Sequence, residues 1–179
     1  FVYVPESEYM PVQNQLMKLV DMVSKSVQDT LKFRIKFVGS SSRGMITKDL
    51  KSNTGYDFDL NIIIDPKEKN YDPKSLKDFL RNHIDKYAPK FGYSNCEDST
   101  SVLTIKAIDT KNSKIIHSAD FNITRKLNGE KQYILNDKKT NTYSWATSPK
   151  FSVKQSQMID WCKKNGHWEE VKDKYLIKK

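Results

Sequence analysis

Two carboxylates flank Phe58 in the run Tyr56-Asp57-Phe58-Asp59-Leu60, where polar and apolar residues alternate. The alternation over residues 57–64 predicts a strand with Phe58, Leu60, Ile62 and Ile64 on one face and Asp57, Asp59 and Asn61 on the other. Two steps of strand rise separate the two carboxylates by about 7 Å, close enough for both to ligate one hard cation. Asp is disfavoured in strands, and unpaired carboxylates in an apolar-rich run repel each other and resist desolvation, a conflict that a metal resolves. A solvated polar face is the plain alternative for an isolated Asp-x-Asp. Asp120, between Ala119 and Phe121 in a later strand-like run, meets the same objection and is the third candidate, with a salt bridge to one of the many lysines as its structural alternative. Asp109 is its rival, but it adjoins Thr110-Lys111-Asn112-Ser113, where a turn role suffices.

Gly39-Ser40-Ser41-Ser42-Arg43-Gly44 follows an alternating run, residues 32–38, in which Phe33, Ile35 and Phe37 share a side. A strand ending in such a turn lets Gly39 adopt a tight conformation and offers backbone N–H groups, beside the Ser40 hydroxyl, to a phosphate. The three serines Ser40, Ser41 and Ser42, with Arg43, deepen that anion site. It is not a Walker loop, because Gly-x-x-x-x-Gly-Lys-Ser/Thr is absent. Arg125, Lys126 and Lys154 are candidates for a triphosphate, and Tyr143 or Trp145 for stacking on a base, each with a surface or core role as the alternative.

The elements that position these residues are legible from periodicity. Val12, Leu16, Leu19, Val20, Val23, Val27 and Leu31 recur at three and four, predicting an amphipathic packing helix over residues 8–31. Asp72-Pro73 reads as an N-cap with Pro at N1, opening a second helix that stops near Pro89. Strands over residues 101–108 and 114–124 flank a hairpin loop at 109–113, and residues 132–135 and 143–146 form a further small hairpin. After Pro149 the chain is helical again, broken near Asn165-Gly166. The order helix, strand, strand, helix, strands, helices predicts an α+β fold, a mixed sheet with helices packed on one face. Residues 1–149 form the principal unit and residues 150–179 a basic helical appendage of the same domain.

The chain's 179 residues are enough for one core, and 31 Lys and Arg against 22 Asp and Glu leave a net charge of +9. That surface attracts nucleotides, RNA or other polyanions, although dispersed lysine also serves solubility. From Lys150 on there are eight lysines against four acidic residues. No apolar run approaches the length of a membrane span, and residues 1–10 do not read as a leader. The first residue is Phe1 rather than Met, so the true start is open. Cys96 and Cys162 are too far apart in sequence for a close-spaced zinc site and build no disulfide framework; with His83, His117 and His167 in no ligand spacing, a reducing cytoplasmic setting is expected.

The ordered set Val38-Gly39-Ser40, Tyr56-Asp57-Phe58-Asp59-Leu60 and Ser118-Ala119-Asp120-Phe121 resembles the polymerase-beta-like nucleotidyltransferase superfamily over residues 8–124. The 18 positions from Gly39 to Asp57 exceed the spacing in compact members, and an insertion such as residues 47–54 accounts for them. The resemblance implies a nucleotidyltransferase-like sheet. It implies Ser40 on the nucleotide phosphates, Asp57 and Asp59 on two magnesium (or manganese) ions, and Asp120 on the catalytic metal and the attacking hydroxyl. The implied reaction moves an NMP from an NTP to an acceptor hydroxyl with release of pyrophosphate. The alternatives are a nucleotide- or RNA-binding module without turnover, and a toxin–antitoxin type enzyme acting on tRNA or a partner protein.

Overall fold

The computed structural model describes residues 1–65, 70–149 and 153–179. A short strand β1 (Val2–Tyr3) leads into helix α1 (Glu6–Val27), whose Leu16, Leu19, Val20, Val23 and Val27 are buried at the predicted spacing. Strand β2 (Phe33–Val38) then ends in a 3-10 turn at Ser41–Arg43, closed by Gly44 in the left-handed region. Strand β3 (Thr47–Lys48) pairs antiparallel with β1 as a separate two-stranded sheet, so part of the expected insertion is a tie to the N-terminus. Strand β4 (Tyr56–Ile64) carries the Asp-x-Asp run and buries Phe58, Leu60, Ile62 and Ile64 as the alternation requires.

Helix α2 (Pro73–Tyr87) starts where Asp72 accepts a hydrogen bond from the Ser75 backbone N–H at 2.8 Å, the expected N-cap. Strands β5 (Glu97–Asp98), β6 (Leu103–Asp109) and β7 (Lys114–Leu127) follow, then the hairpin of β8 (Glu130–Asp137) and β9 (Thr142–Thr147). Helices α3 (Val153–Lys164) and α4 (Trp168–Ile177) complete the described chain, separated at Asn165-Gly166 as expected. Lys150, the first residue of the predicted appendage, lies outside the described residues.

The main sheet has seven strands in the path β2-β4-β7-β6-β5, with β8 also pairing β7 and β9 pairing β8. Among the described residues only β4 and β7 run parallel; the other pairings are antiparallel, giving the mixed α+β sheet. β7 is long because one edge pairs with β4 while the other serves β6 and then β8. α1 and α2 cover the apolar face, joining Leu16, Leu19, Leu76, Leu80 and Ile84 to Phe58, Leu60 and Phe121 in one core. The opposite face of β4 is therefore left for polar side chains. Among the described residues no helix is long and apolar enough to cross a membrane.

Candidate active site

Strand pairing assembles the carboxylates. The parallel register sets Asp59 directly beside Asp120 and Asp57 beside Ser118. On the outer side of β4, antiparallel pairing sets Val38, the residue before Gly39, against Asp59. On the far side of β7, Thr104 stands opposite Asp120 and Lys106 opposite Ser118. Neighbouring strands lie about 4.8 Å apart, so residues 61 positions apart in sequence, such as Asp59 and Asp120, become adjacent. Asp109, the rival third carboxylate, ends β6 and is occupied by its own loop: its carboxylate accepts hydrogen bonds from the Asn112 backbone and side-chain amide groups.

The cluster is electrostatically tense. Burial, then the charges of Asp120 and Asp57, push the Asp59 carboxyl above its ordinary value, opposed by the charge of Lys179. Burial also raises Asp120, opposed by a hydrogen bond that its Oδ1 accepts from the Thr104 hydroxyl at 2.5 Å, while Asp57 adds repulsion. Asp57, the most exposed of the three, accepts from the Ser118 hydroxyl. With two of the three turned to hydroxyl donors, no three acidic, His or Cys side chains among the described residues stand in an arrangement that would hold a metal ion as they are. The donor set itself fits a hard divalent cation: three carboxylates, two of them half-buried, whose mutual repulsion a cation would relieve. Asp57, Asp59 and Asp120 would hold it.

The glycine-serine turn abuts the same cluster. Gly39 has φ of +61°, which favours glycine, and a Cβ there would lie 2.6 Å from Oδ2 of Asp59 and displace that carboxylate. Ser40 follows it, half-buried, at the head of the 3-10 turn, and its carbonyl accepts from the backbone N–H groups of Arg43 and Met45. Ser42 donates its hydroxyl back to the Gly39 carbonyl at 2.9 Å, and Arg43 lines a cleft with Gln155, Ser156 and Met158 of α3. Ser41, read with its two neighbours as part of the anion site, is instead the buried serine of the three. Its hydroxyl lies 2.7 Å from the Val38 carbonyl and 3.3 Å from that of Asp59, lashing the turn to β4. In a Ser-Ser-Ser run, composition alone does not distinguish the inward one.

Comparison by sequence finds no matching protein family and no matching curated protein. Solved structures do match. The CD-NTase CdnG of Bradyrhizobium diazoefficiens, determined in complex with GTP, superposes with a TM-score of 0.59 at 14% identity, covering 82% of this chain and 40% of that one. Vibrio cholerae DncV in its 3'-deoxy ATP bound form matches with a TM-score of 0.54 at 16% identity, covering 90% of this chain and 42% of that one. DncV cyclic AMP-GMP synthase in complex with a linear intermediate matches with the same values. The chain has the fold of the polymerase-beta-like nucleotidyltransferases. It spans about two fifths of the length of these structures.

Within this nucleotidyltransferase fold, several residues singled out from the sequence lie away from the aspartates. Arg125 is five positions beyond Asp120 and so projects to the other side of β7, where its guanidinium lies 4.1 Å from the Trp145 ring centre. It donates to Gln132 Oε1 at 2.8 Å and to Asn70 Oδ1 at 3.1 Å, latching the approach to α2 onto the β8–β9 hairpin. Trp145 donates its indole N–H to the Tyr71 carbonyl, and Tyr143 donates its hydroxyl to Asp98 at 2.7 Å. Both rings are thereby engaged in packing. His117 is a core histidine, 3.0 Å from the Tyr93 hydroxyl, and its burial holds its pKa below the ordinary value. Thr104 and Ser118 are site residues that sequence reading missed. Only strand register reveals them, since their own neighbours in sequence carry no signal.

Proposed function

We propose that this chain transfers a nucleoside monophosphate from an NTP to an acceptor hydroxyl, with release of pyrophosphate, at Asp57, Asp59 and Asp120. The observation that carries this reading is the pairing of Asp59 with Asp120 across parallel β4 and β7, with Gly39 packed on Asp59, in a fold shared with proteins solved with GTP and 3'-deoxy ATP. Magnesium or manganese, once held by the three carboxylates, would neutralise charge on the phosphates and favour the ionised acceptor hydroxyl. The acceptor oxygen bonds to the α-phosphorus as the bond from that phosphorus to the bridging oxygen of the β-phosphate breaks, and pyrophosphate leaves. The hydroxyl proton passes to Asp120, the carboxylate placed beside Asp59. Gly39 and Ser40, with Ser42 and Arg43 around the same turn, orient the triphosphate. The +9 surface suits a polyanionic acceptor, RNA included. Free Cys96 and Cys162 suit a reducing cytoplasm.

The test is incubation with labelled NTPs and RNA, nucleotide or protein acceptors, with and without magnesium, reading both label transfer and pyrophosphate. Magnesium-dependent transfer is expected, falling by roughly 10²- to 10⁴-fold in Asp120→Asn. Asp109→Asn is expected to be mild, because Asp109 serves its loop. The reverse order of the two variants would move the third carboxylate to Asp109. NTP-induced stabilisation with no pyrophosphate from any acceptor would make this a binding module without turnover.

A further inference from the structure

The sheet face that bears the carboxylates continues past them. Two positions beyond Asp59 and Asp120 stand Asn61 and Asn122, paired with each other, and Lys36 of β2 lies beside Asn61. Two positions further, Ile63 pairs with Thr124, and Arg34 lies beside Ile63. At the end of the β7–β8 hairpin, Lys126 and Lys131 are direct cross-strand partners. Arg34, Lys36, Lys126 and Lys131, with the mostly buried Arg125 at its wall, line one open cleft of about 600 Å³, in which Glu130 is the single carboxylate among the described lining residues. A neighbouring cleft of about 670 Å³ shares Lys131 and adds Asn122 and Tyr133.

Two features of this surface are unfavourable for the protein alone. Like charges set directly opposite on paired strands repel, and among the described residues none of these four cations enters an ion pair. Asn122 in addition has a buried Oδ1 without a hydrogen-bond partner. A ligand with a row of anions and exposed polar edges answers both. We propose that the cleft is the track of a single-stranded oligonucleotide, its backbone phosphates on Lys36, Arg34, Lys126 and Lys131 and a base or sugar edge on Asn122. Length argues against a mononucleotide. Lys126 lies six residues beyond Asp120, about 20 Å along the strand, and a stacked strand advancing about 3.4 Å per nucleotide covers that distance with on the order of six. That the strand's hydroxyl end sits at the aspartates rests on the proposed transfer reaction; binding along the cleft does not.

Binding is therefore measured apart from chemistry, by fluorescence anisotropy of a labelled RNA of about ten nucleotides with the full chain, in EDTA and without NTP, from about 50 to 200 mM salt. The parent affinity falls with salt. In Arg34→Gln/Lys36→Gln and in Lys126→Gln/Lys131→Gln, the slope of log affinity against log salt decreases by about 1.4, two phosphate contacts at about 0.7 each. Lys126→Gln alone, which keeps the remaining cations in place, shows half that change. A loss concentrated instead in Lys163→Gln/Lys164→Gln overturns the assignment, as does an unchanged slope in the cleft variants or no binding at the lowest salt. ATP competing with the RNA at the same lysines makes the occupant a mononucleotide and also overturns it, and an acidic peptide binding as tightly as RNA does the same. RNA binding that survives while no acceptor is labelled removes the transfer reaction and leaves the track. Transfer to a mononucleotide without RNA binding does the opposite.

Discussion

Asp59 and Asp120 sit where a carboxylate is worst off, half-buried and beside another carboxylate, and the fold carries that cost because the other face of β4 and β7 buries Phe58, Leu60, Ile62, Ala119, Phe121 and Ile123. A carboxyl whose folded pKa is raised binds its proton more tightly in the native state than in the unfolded chain. Stability contributed by the protonated form is present at acid pH and is lost as pH rises from the ordinary carboxyl range through the raised value. Replacing Asp59 by neutral, isosteric Asn removes that loss. In the absence of divalent ions, Asp59→Asn is therefore expected to melt a few degrees above the parent at neutral pH, with the advantage shrinking as pH falls through the raised value toward the ordinary carboxyl range. Thermal melts across that range decide it; an equal difference at every pH would mean that the charge is not the cause. Magnesium with NTP should stabilise the parent and not this variant, so the same substitution gains stability and loses ligand response.

α2 is joined to the sheet by a buried ion pair that supports the strands behind the site. Lys77 on this helix is 1% exposed, and its ammonium lies 2.6 Å from Asp98 Oδ1 of β5 and 3.0 Å from the Ser99 carbonyl. Asp98 Oδ2 also accepts from Tyr143 of β9, whose hydroxyl accepts from the Asn136 amide of β8. Burial on its own would raise the Asp98 carboxyl, but the hydrogen bonds from Lys77 and Tyr143 outweigh it and hold the group below its ordinary value. Four elements meet at this carboxylate. Lys77→Met keeps the volume and leaves Asp98 buried without its cation, at a cost of roughly 3 to 5 kcal/mol. Urea unfolding would measure it, and Lys77→Met/Asp98→Asn should recover part of the loss because no uncompensated charge remains. In the parent, the Asp98 contribution is present at neutral pH and is lost as pH falls through its depressed pKa, so acid should loosen this junction. A loss below about 1 kcal/mol in Lys77→Met would mean that the pair is well solvated.

At the scale of the molecule, stability and charge are distributed differently. The buried apolar side chains among the described residues run from Val4 to Ile134, and α4 contributes none. Met158 and Trp161 of α3 are exposed, and a hydrogen bond from the Tyr3 hydroxyl to the Lys172 carbonyl at 2.7 Å ties α4 to the N-terminal strand. Residues 150–179 nevertheless hold four of the nine net positive charges. Their lysines are partly spent locally: Lys172 pairs with Glu169, Lys174 with Glu170, and Lys163 lies over the Trp168 ring. A chain ending at Pro149 should fold with a melting temperature within about 4 °C of the parent, the shift that about 1 kcal/mol gives a protein of this size. Calorimetry of the two proteins checks this. A much larger drop would show that α3 and α4 complete the core.

Period and position in the sequence were enough for the helices, for the strands that carry chemistry and for the face on which Asp57 and Asp59 lie, because helix and strand periodicities are local consequences of backbone geometry. The Asp72 cap and the break at Asn165-Gly166 are local in the same way. What a side chain meets across a sheet is not local. That Asp59 faces Asp120, that Gly39 is pressed against Asp59, that Ser41 rather than its neighbours turns inward, and that Thr104 and Ser118 hold the carboxylates all depend on strand order and register. Arg125 shows the limit from the other side: its charge suggested a triphosphate ligand, but one step of strand parity sends it to the packed face. Lys77 reads as an ordinary helix lysine until β5 and β9 close around it. The strands β1 and β3 are two residues each, too short to carry a period, and exist because residues far apart in the chain meet. Local chemistry chose the residues, and only the tertiary pairing of distant strands, where desolvation and repulsion are settled, brought them together as a candidate site.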